Sequence, residues 1–198
     1  DTIYHEHLDF HSVAPFQKLF SRVNMEIINV QRIEPQGGSI RVMTQKKGGK
    51  FKIDKSVNEL IKLEKSFKLD KAITFTKFNR KITLTGKKLQ KLVFNLKAQG
   101  MSIAGFGAPT KATTLMAHFK LDKTVLDFIV DENPLKQNLY TPISHIPILS
   151  ADALYTLRPN YVIILAWNFA EPIMKSHKAY IKNGGKFILP MPDPYIVE

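Results

Sequence analysis

The spacing of apolar side chains predicts a helix and then a hairpin in the first part of the chain. Residues 12–24 carry apolar side chains at helical spacing, and Ser12 precedes them as a candidate N-cap. Two runs of β-like composition follow at 25–33 and 39–44, and residues 35–38 have the composition of a turn. A helix and one hairpin are too small to bury a core alone.

From Asp54 to Gly100 the apolar positions follow the helical period. One helix is predicted from Asp54 to Phe67. A later helix has its apolar positions at 84–96 and ends at Gly100. Between them, residues 73–85 are rich in Thr and Phe and fit a helix or a strand equally well.

After Gly100, short apolar runs alternate with helical patterns. The runs read as strands at 102–106, 126–130, 161–166 and 186–189, with helices over 111–119 and 169–183. Buried strands that alternate with helices indicate a parallel sheet covered on both faces. We therefore predict an α/β protein: a Rossmann-like parallel sheet with flanking helices, preceded by the helix, the hairpin and a basic helical connector.

Composition narrows the class of protein. Hydrophobic residues make up 44% of the 198 positions, with 13 Phe, which is enough for a core. Cysteine is absent, so disulfides and cysteine-based zinc sites are excluded within this segment. The longest apolar run, 161–167, is far too short to span a bilayer. We expect a soluble, cytoplasmic protein with no membrane partner.

The net charge of +12 belongs to one segment. Residues 41–100 hold 17 Lys and Arg against 4 Asp and Glu, whereas the rest of the chain has a net charge of −1. A solvated lysine-rich helix face or a polyanion-binding surface would each explain this pattern. Because interleaved aromatics and a known motif are missing, we expect no nucleic-acid partner, but a basic nucleic-acid-binding module stays as the non-enzymatic alternative.

A glycine-rich loop lies where parallel sheets bind anions, between the first strand of this region and its helix. Gly105 and Gly107 would let the backbone approach a phosphate, Pro109 precedes the helix, and Lys111 adds a positive charge. Thr110 occupies the third glycine position of the dinucleotide fingerprint, which disfavours an NAD-type dehydrogenase, the enzymatic alternative. A tight turn without a ligand is equally compatible with the spacing.

Two further polar segments follow predicted strands. Asp131 comes 24 residues after Gly107, where an acidic group often meets a ribose hydroxyl, and Lys136 follows closely. Trp167 and Asn168 follow the strand at 161–166. All four are candidate ligand contacts, although Trp167 could instead fill the core.

The first residues of the chain bring together groups that transfer protons. Residues 4–7 and His11 supply a phenol, a carboxylate and three imidazoles. They would suit a zinc site, a general base or an ordinary polar terminus. Since the chain opens without Met, we expect it to be the C-terminal part of a larger enzyme.

Five motifs in register point to one family. They are YHEH at 4–7, GGSIRV at 37–42, GFGAPTK at 105–111, DENPLKQ at 131–137 and LAWN at 165–168. Together they resemble the C-terminal half of the three-domain sugar C-methyltransferases. That family uses S-adenosylmethionine to methylate keto-deoxysugars linked to thymidine diphosphate (TDP).

The resemblance implies a domain organisation. Residues 1–46 would be the tail of the central S-adenosylmethionine domain, 47–100 a basic helical connector, and 101–198 a Rossmann-like domain that binds the nucleotide sugar. The S-adenosylmethionine site and a zinc-binding N-terminal domain would lie upstream, so we expect no metal site here. The hairpin would then pack on the third domain or pair with a second copy of the chain as a dimer.

The resemblance also implies a mechanism. A base removes the proton next to the ketone, and the enolate attacks the methyl group of S-adenosylmethionine. His7 would be the base, Tyr4 and Glu6 would orient it or the sugar, and His5 would be structural. The substrate would contact Gly105, Gly107, Pro109, Lys111, Asp131, Lys136, Trp167 and Asn168. We expect no methylation by this chain alone; another anionic carbonyl compound is the alternative substrate.

Overall fold

A computed structural model describes residues 8–197, which divide into two units, 8–80 and 81–197. The division falls within a long helix. The catalytic candidates Tyr4, Glu6 and His7 lie outside the described residues.

The unit at 8–80 contains the predicted helix and hairpin. Its elements are α1 (Val13–Arg22), β1 (Met25–Ile33), β2 (Ser39–Lys46) and α2 (Lys55–Ser66), with a short 3-10 helix at Pro35–Gly37. β1 and β2 pair antiparallel from Met25 opposite Lys46 to Ile33 opposite Ser39. The sequence prediction of a helix and a hairpin is confirmed.

The apolar face of this hairpin is covered within its own unit. The small core consists of Val13 of α1, Ile27 and Val30 of β1, and Val57 of α2. The sequence-based prediction was that the hairpin packs on the third domain or pairs with a second copy of the chain. That prediction included α2 as a helix but assigned it to a basic connector, because few of its positions are apolar.

The N-terminus of α1 is capped by a residue that lies far away in the sequence. Ser12 has the extended backbone of an N-cap, but its side chain makes no capping hydrogen bond. Instead, the backbone N–H groups of Val13 and Ala14 donate to the two carboxylate oxygens of Glu64 in α2. The carboxylate satisfies two donors that a helix leaves open, and its charge complements the helix dipole.

Glu64→Ala should therefore lower the free energy of unfolding by about 0.5–2 kcal/mol, the range measured for capping groups. Ser12→Ala, which removes no capping bond, should change it by less than about 0.5 kcal/mol. Urea denaturation followed by circular dichroism measures both. Glu59→Ala is a matched control because its carboxylate is 63% exposed on the same helix. A larger loss for Ser12→Ala than for Glu64→Ala would contradict the assignment.

The unit at 81–197 holds the sheet. Its elements are the end of α3 (Ala72–Ala98), then β3 (Ile103–Phe106), α4 (Thr110–Phe119), β4 (Ile129–Val130), β5 (Ile148–Leu149), α5 (Ala153–Thr156), β6 (Tyr161–Ile164), α6 (Ala170–Ser176), α7 (Lys178–Lys182), β7 (Lys186–Leu189) and β8 (Tyr195–Val197). A 3-10 helix, Trp167–Phe169, precedes α6. None of the helices described in the chain combines the length and apolar character needed to cross a bilayer.

The sheet has the order β5-β4-β3-β6-β7-β8, and every neighbouring pair is parallel except β7 and β8. Alternate side chains enter two cores, since successive residues of a strand point to opposite faces. Ile103, Ile129, Ile163 and Ile188 pack with α3 and α4, whereas Ala104, Val130, Val162 and Phe187 pack with α5, α6 and α7. An α/β architecture with a mostly parallel, two-faced sheet is thus confirmed.

Three predicted elements differ in the structure. The ambiguous residues 73–85 are helical, as part of the continuous α3. The strand predicted at 126–130 is shortened to β4, and Leu126 lies instead at the end of a turn, where its N–H donates to the carbonyl of Asp122. The helix predicted over 169–183 is broken at His177, whose φ of −109° and ψ of 33° leave the helical range.

Sequence reasoning also missed the outer strands β5 and β8. β5 has two residues and β8 has three. Runs this short contain no measurable alternation, so only their pairing with β4 and β7 identifies them as strands.

Candidate functional site

The main candidate site is a cleft at the carboxyl ends of the central strands. β3 is followed by β4 on one side, and β6 returns to pair on the other, so the order of strands reverses at β3. Ligands of open α/β sheets bind at such a reversal. The cleft has a volume of about 310 Å³. Its lining comes from the ends of β3, β4 and β6 and from α6: Phe106, Gly107, Pro109, Asp131, Glu132, Lys136, Ala166, Phe169, Pro172, Ile173 and Ser176.

Two glycines bring β3 and β6 close enough to form this edge. A Cβ on Gly105 would lie 2.9 Å from side-chain carbons of both Ile129 and Leu165. Gly107 has φ +86°, and a Cβ there would lie 2.8 Å from the Cβ of Ala166. Both glycines are therefore required by the packing, and Gly107 also by its backbone conformation.

Asp131 ties the glycine loop to the end of β4. Its Oδ2 accepts the N–H of Ala108 at 2.7 Å, and its Oδ1 accepts the N–H of Asn133 at 2.9 Å. The ammonium of Lys136 lies 3.3 Å from the same Oδ2 and donates to the carbonyl of Ala108 at 3.1 Å. Asp131 is only 8% exposed. The carboxylate therefore holds the glycine loop to the end of β4.

Lys111 lies in the first turn of α4, beside the loop. Its Nζ is 4.4 Å from the centre of the Trp167 indole ring, a cation–π distance. Partial burial lowers the pKa of Lys111. Among the described residues, no carboxylate lies within 4.0 Å of this ammonium. Lys111 is thus a cation that an anionic ligand at the α4 N-terminus could approach.

The structure brings together only part of the predicted set. Gly107, Pro109, Asp131 and Lys136 line the cleft, whereas Gly105 lies beneath it in the sheet. Lys111 and Trp167 stack outside the lining, and Trp167 also packs against the core shared with α3 and α4. Asn168 is exposed in the 3-10 helix and does not line the cleft.

Sequence reasoning missed a polar group next to the cleft, formed by Glu132, Tyr155 and His177. The Nδ1 of His177 lies 2.9 Å from the hydroxyl oxygen of Tyr155, and its Nε2 lies 3.8 Å from Oε1 of Glu132. Burial lowers the pKa of His177, and the charge of Glu132 opposes that shift. Glu132 could have been found from its place next to Asp131. His177 gave no signal, because it lies inside an apparent helix.

The described residues contain no group of three or more His, Cys, Asp or Glu side chains that could hold a metal ion. Two of the three candidate imidazole ligands at the start of the chain, His5 and His7, fall outside them. The third, His11, lies against the Phe16 ring with the ring centroids 4.8 Å apart. A smaller cavity of about 90 Å³ lies at the opposite edge of the sheet, between α5 and α7.

Comparison with known proteins identifies the family. Residues 34–192 match the family model described as the C-methyltransferase C-terminal domain. The C-methyltransferase NovU of Streptomyces niveus is 32% identical over 197 residues, an alignment that covers 100% of this chain and 47% of NovU. The chain therefore spans about half the length of this curated relative. Both matches agree with the family resemblance predicted from the sequence, and the chain belongs to the C-methyltransferase C-terminal domain family.

Proposed function

We propose that this chain is the C-terminal part of an S-adenosylmethionine-dependent C-methyltransferase, and that its cleft binds a nucleotide-linked keto-sugar such as a TDP sugar. Family membership supports C-methyl transfer. We propose the domain organisation that the resemblance implies. Residues 1–46 are the tail of the methyltransferase domain, 47–100 are a connector, and 101–198 are the Rossmann-like, sugar-binding domain.

The position of the cleft carries the proposal for nucleotide binding. The strand order corresponds to the 3-2-1-4-5-6 order of doubly wound folds, whose ligands bind at the reversal point. The N-terminus of α4 opens beside Gly107, so backbone N–H groups and Lys111 would face a diphosphate there. We place the diphosphate at this end of the cleft.

The cleft fits the proposed methyl donor poorly. An adenosine ribose usually needs an acidic acceptor at the end of the second strand, and Asp131 already accepts bonds from Ala108 and Asn133. We therefore assign S-adenosylmethionine, like zinc, to the part of the enzyme upstream of this chain. Because a dinucleotide also places a ribose at this position, the engaged Asp131 carboxylate disfavours a dinucleotide-dependent dehydrogenase as well.

The chemistry that we propose for this chain is proton transfer. His7 would take the proton next to the sugar ketone, leaving an enolate, while Tyr4 and Glu6 orient the base or the sugar. S-adenosylmethionine would supply the methyl group: its methyl–sulfur bond would break as the enolate carbon bonds to the methyl, and S-adenosylhomocysteine would leave. Substitution His7→Ala in the whole enzyme would remove the proposed base.

The nucleotide proposal is tested by calorimetric titration of the 198-residue chain with TDP. Lys111→Ala should weaken TDP binding roughly ten-fold, the factor expected for loss of one charge-assisted contact. Lys123→Ala is the matched control, since this exposed lysine precedes β4 at the opposite edge of the sheet and should leave affinity unchanged.

Parallel titrations separate the alternatives. NADH binding tighter than TDP binding would favour the dehydrogenase. Binding of duplex DNA that falls steeply with salt, without TDP binding, would favour a basic nucleic-acid-binding module formed by residues 41–100. An absence of TDP binding to the unmodified chain would overturn the proposed cleft function.

A further inference from the structure

His177 is a buried imidazole with one nitrogen left without a hydrogen bond. It is 7% exposed, and its Nε2 has no hydrogen-bond partner among the described residues. Three groups surround the ring: Tyr155 of α5, Glu132 after β4, and the Phe106 ring of β3, edge-on at 5.0 Å. Buried polar atoms are nearly always bonded, so an unpaired Nε2 calls for a role.

The surroundings select one tautomer. A carboxylate can only accept, so the nitrogen that faces Glu132 has to carry the proton if the two are to bond. The hydroxyl of Tyr155 then donates to the unprotonated Nδ1 at 2.9 Å. This arrangement gives each of the three groups a partner of the right kind. The present Nε2 to Oε1 distance of 3.8 Å is just beyond hydrogen-bonding range.

Glu132 is free to close this gap. Its side chain is 71% exposed and lines the cleft. The neighbouring cation, Lys136, is already engaged by Asp131 and the carbonyl of Ala108. A small rotation of the Glu132 side chain would bring one oxygen to His177 and leave the other facing the cleft.

We propose that Tyr155, His177 and Glu132 form a hydrogen-bonded chain that holds the Glu132 carboxylate in the cleft as the acceptor for a hydroxyl group of the bound ligand. His177 is thus a positioning residue. This inference rests on the proposed function and deepens it, because it assigns the sugar end of the cleft.

The chemistry of the cleft favours a sugar ring at Glu132 over a phosphate. A carboxylate repels an anion but accepts hydrogen bonds from hydroxyl groups. The α6 side of the cleft is mainly apolar and supplies Phe169, Pro172 and Ile173, suitable for the C–H faces of a pyranose. The diphosphate would lie toward Lys111 and the sugar ring toward Glu132.

The experiment compares TDP with TDP-glucose as calorimetric probes of the 198-residue chain. Glu132→Gln should weaken TDP-glucose roughly ten-fold or more, because a hydrogen bond to a charged acceptor is lost, and should leave TDP within about two-fold. His177→Phe should weaken TDP-glucose selectively as well. His177→Gln should restore most of the affinity, since its amide can donate to Glu132 from near the Nε2 position.

Nitrogen-15 NMR of the His177 ring tests the hydrogen-bonded chain of Tyr155, His177 and Glu132 in the absence of a ligand. We expect the tautomer with the proton on Nε2. In Glu132→Gln the pKa of His177 should fall further, because the carboxylate charge that opposes its lowering is gone. Tyr155→Phe, which removes only the hydroxyl, should shift the Nδ1 resonance and serves as a second variant if His177→Phe does not fold.

The outcomes separate this inference from the proposed function. Selective loss of TDP-glucose in Glu132→Gln, with the Nε2–H tautomer, supports the inference. Three results would overturn the inference while leaving TDP binding intact. They are equal effects of Glu132→Gln on both probes, a proton on Nδ1 of His177, and a His177 pKa that does not change in Glu132→Gln. Failure of the unmodified chain to bind either probe would overturn the proposed function and the assigned sugar position, whatever the tautomer.

Discussion

Asp131→Ala is expected to lower the free energy of unfolding by about 2–4 kcal/mol and to abolish TDP binding. The substitution removes the acceptor of two backbone N–H groups, those of Ala108 and Asn133. It also leaves the ammonium of Lys136 without its carboxylate. Because the glycine loop is held to β4 by these bonds, it should lose the geometry that the diphosphate requires. Urea denaturation and TDP calorimetry measure the two effects.

Asp127→Ala is the matched control at the other end of β3. Asp127 also accepts one backbone N–H, that of Ile103 at 3.0 Å, and one lysine, Lys97 at 2.9 Å. Its removal should lower stability by a similar mechanism without touching the cleft, so TDP binding should persist under conditions where the protein is folded. Unchanged stability of Asp131→Ala, or equal loss of TDP binding in both variants, would contradict the role assigned to Asp131.

Gly107→Ala is expected to cost about 2–4 kcal/mol of unfolding free energy, from backbone strain and overpacking together. The φ of +86° disfavours any L side chain, and the new Cβ would lie 2.8 Å from that of Ala166. Relief requires β3 and β6 to separate at their carboxyl ends, which is where the cleft lies. TDP affinity should fall by at least about ten-fold, the factor expected when one hydrogen bond to the diphosphate is lost.

Gly184→Ala isolates the contribution of strain. Gly184 has φ +91°, yet a Cβ there would meet no atom within 4 Å. We expect a loss of about 1–2 kcal/mol from the backbone alone and unchanged TDP affinity. Equal stability losses for Gly107→Ala and Gly184→Ala would show that the contact with Ala166 is relieved easily, and would contradict the close approach of β3 and β6.

Local patterns in the sequence were sufficient for most elements. The helical period located α1, α2 and α4, and the apolar runs located β3, β6 and β7. The rule that side chains after parallel strands share one edge also placed Gly107, Asp131 and Lys136 in a single cleft. These inferences succeeded because burial on a helix or strand repeats over a few residues. Family membership likewise rests on motifs that are contiguous in the chain.

What each polar side chain does was decided only by the tertiary structure. The sequence predicts Asp131 as a ligand contact, and only the fold shows that its carboxylate accepts the N–H of Ala108. Glu64 caps a helix that lies 50 positions earlier in the chain. His177 looked like an ordinary helical residue until the break between α6 and α7 buried it against Tyr155. The sequence by itself determined the periodic elements, the glycine loop and the family, because these depend on neighbouring residues. Only the tertiary structure decided the hydrogen-bond partners, because a buried polar group bonds to whatever the fold brings within about 3 Å, however distant along the chain.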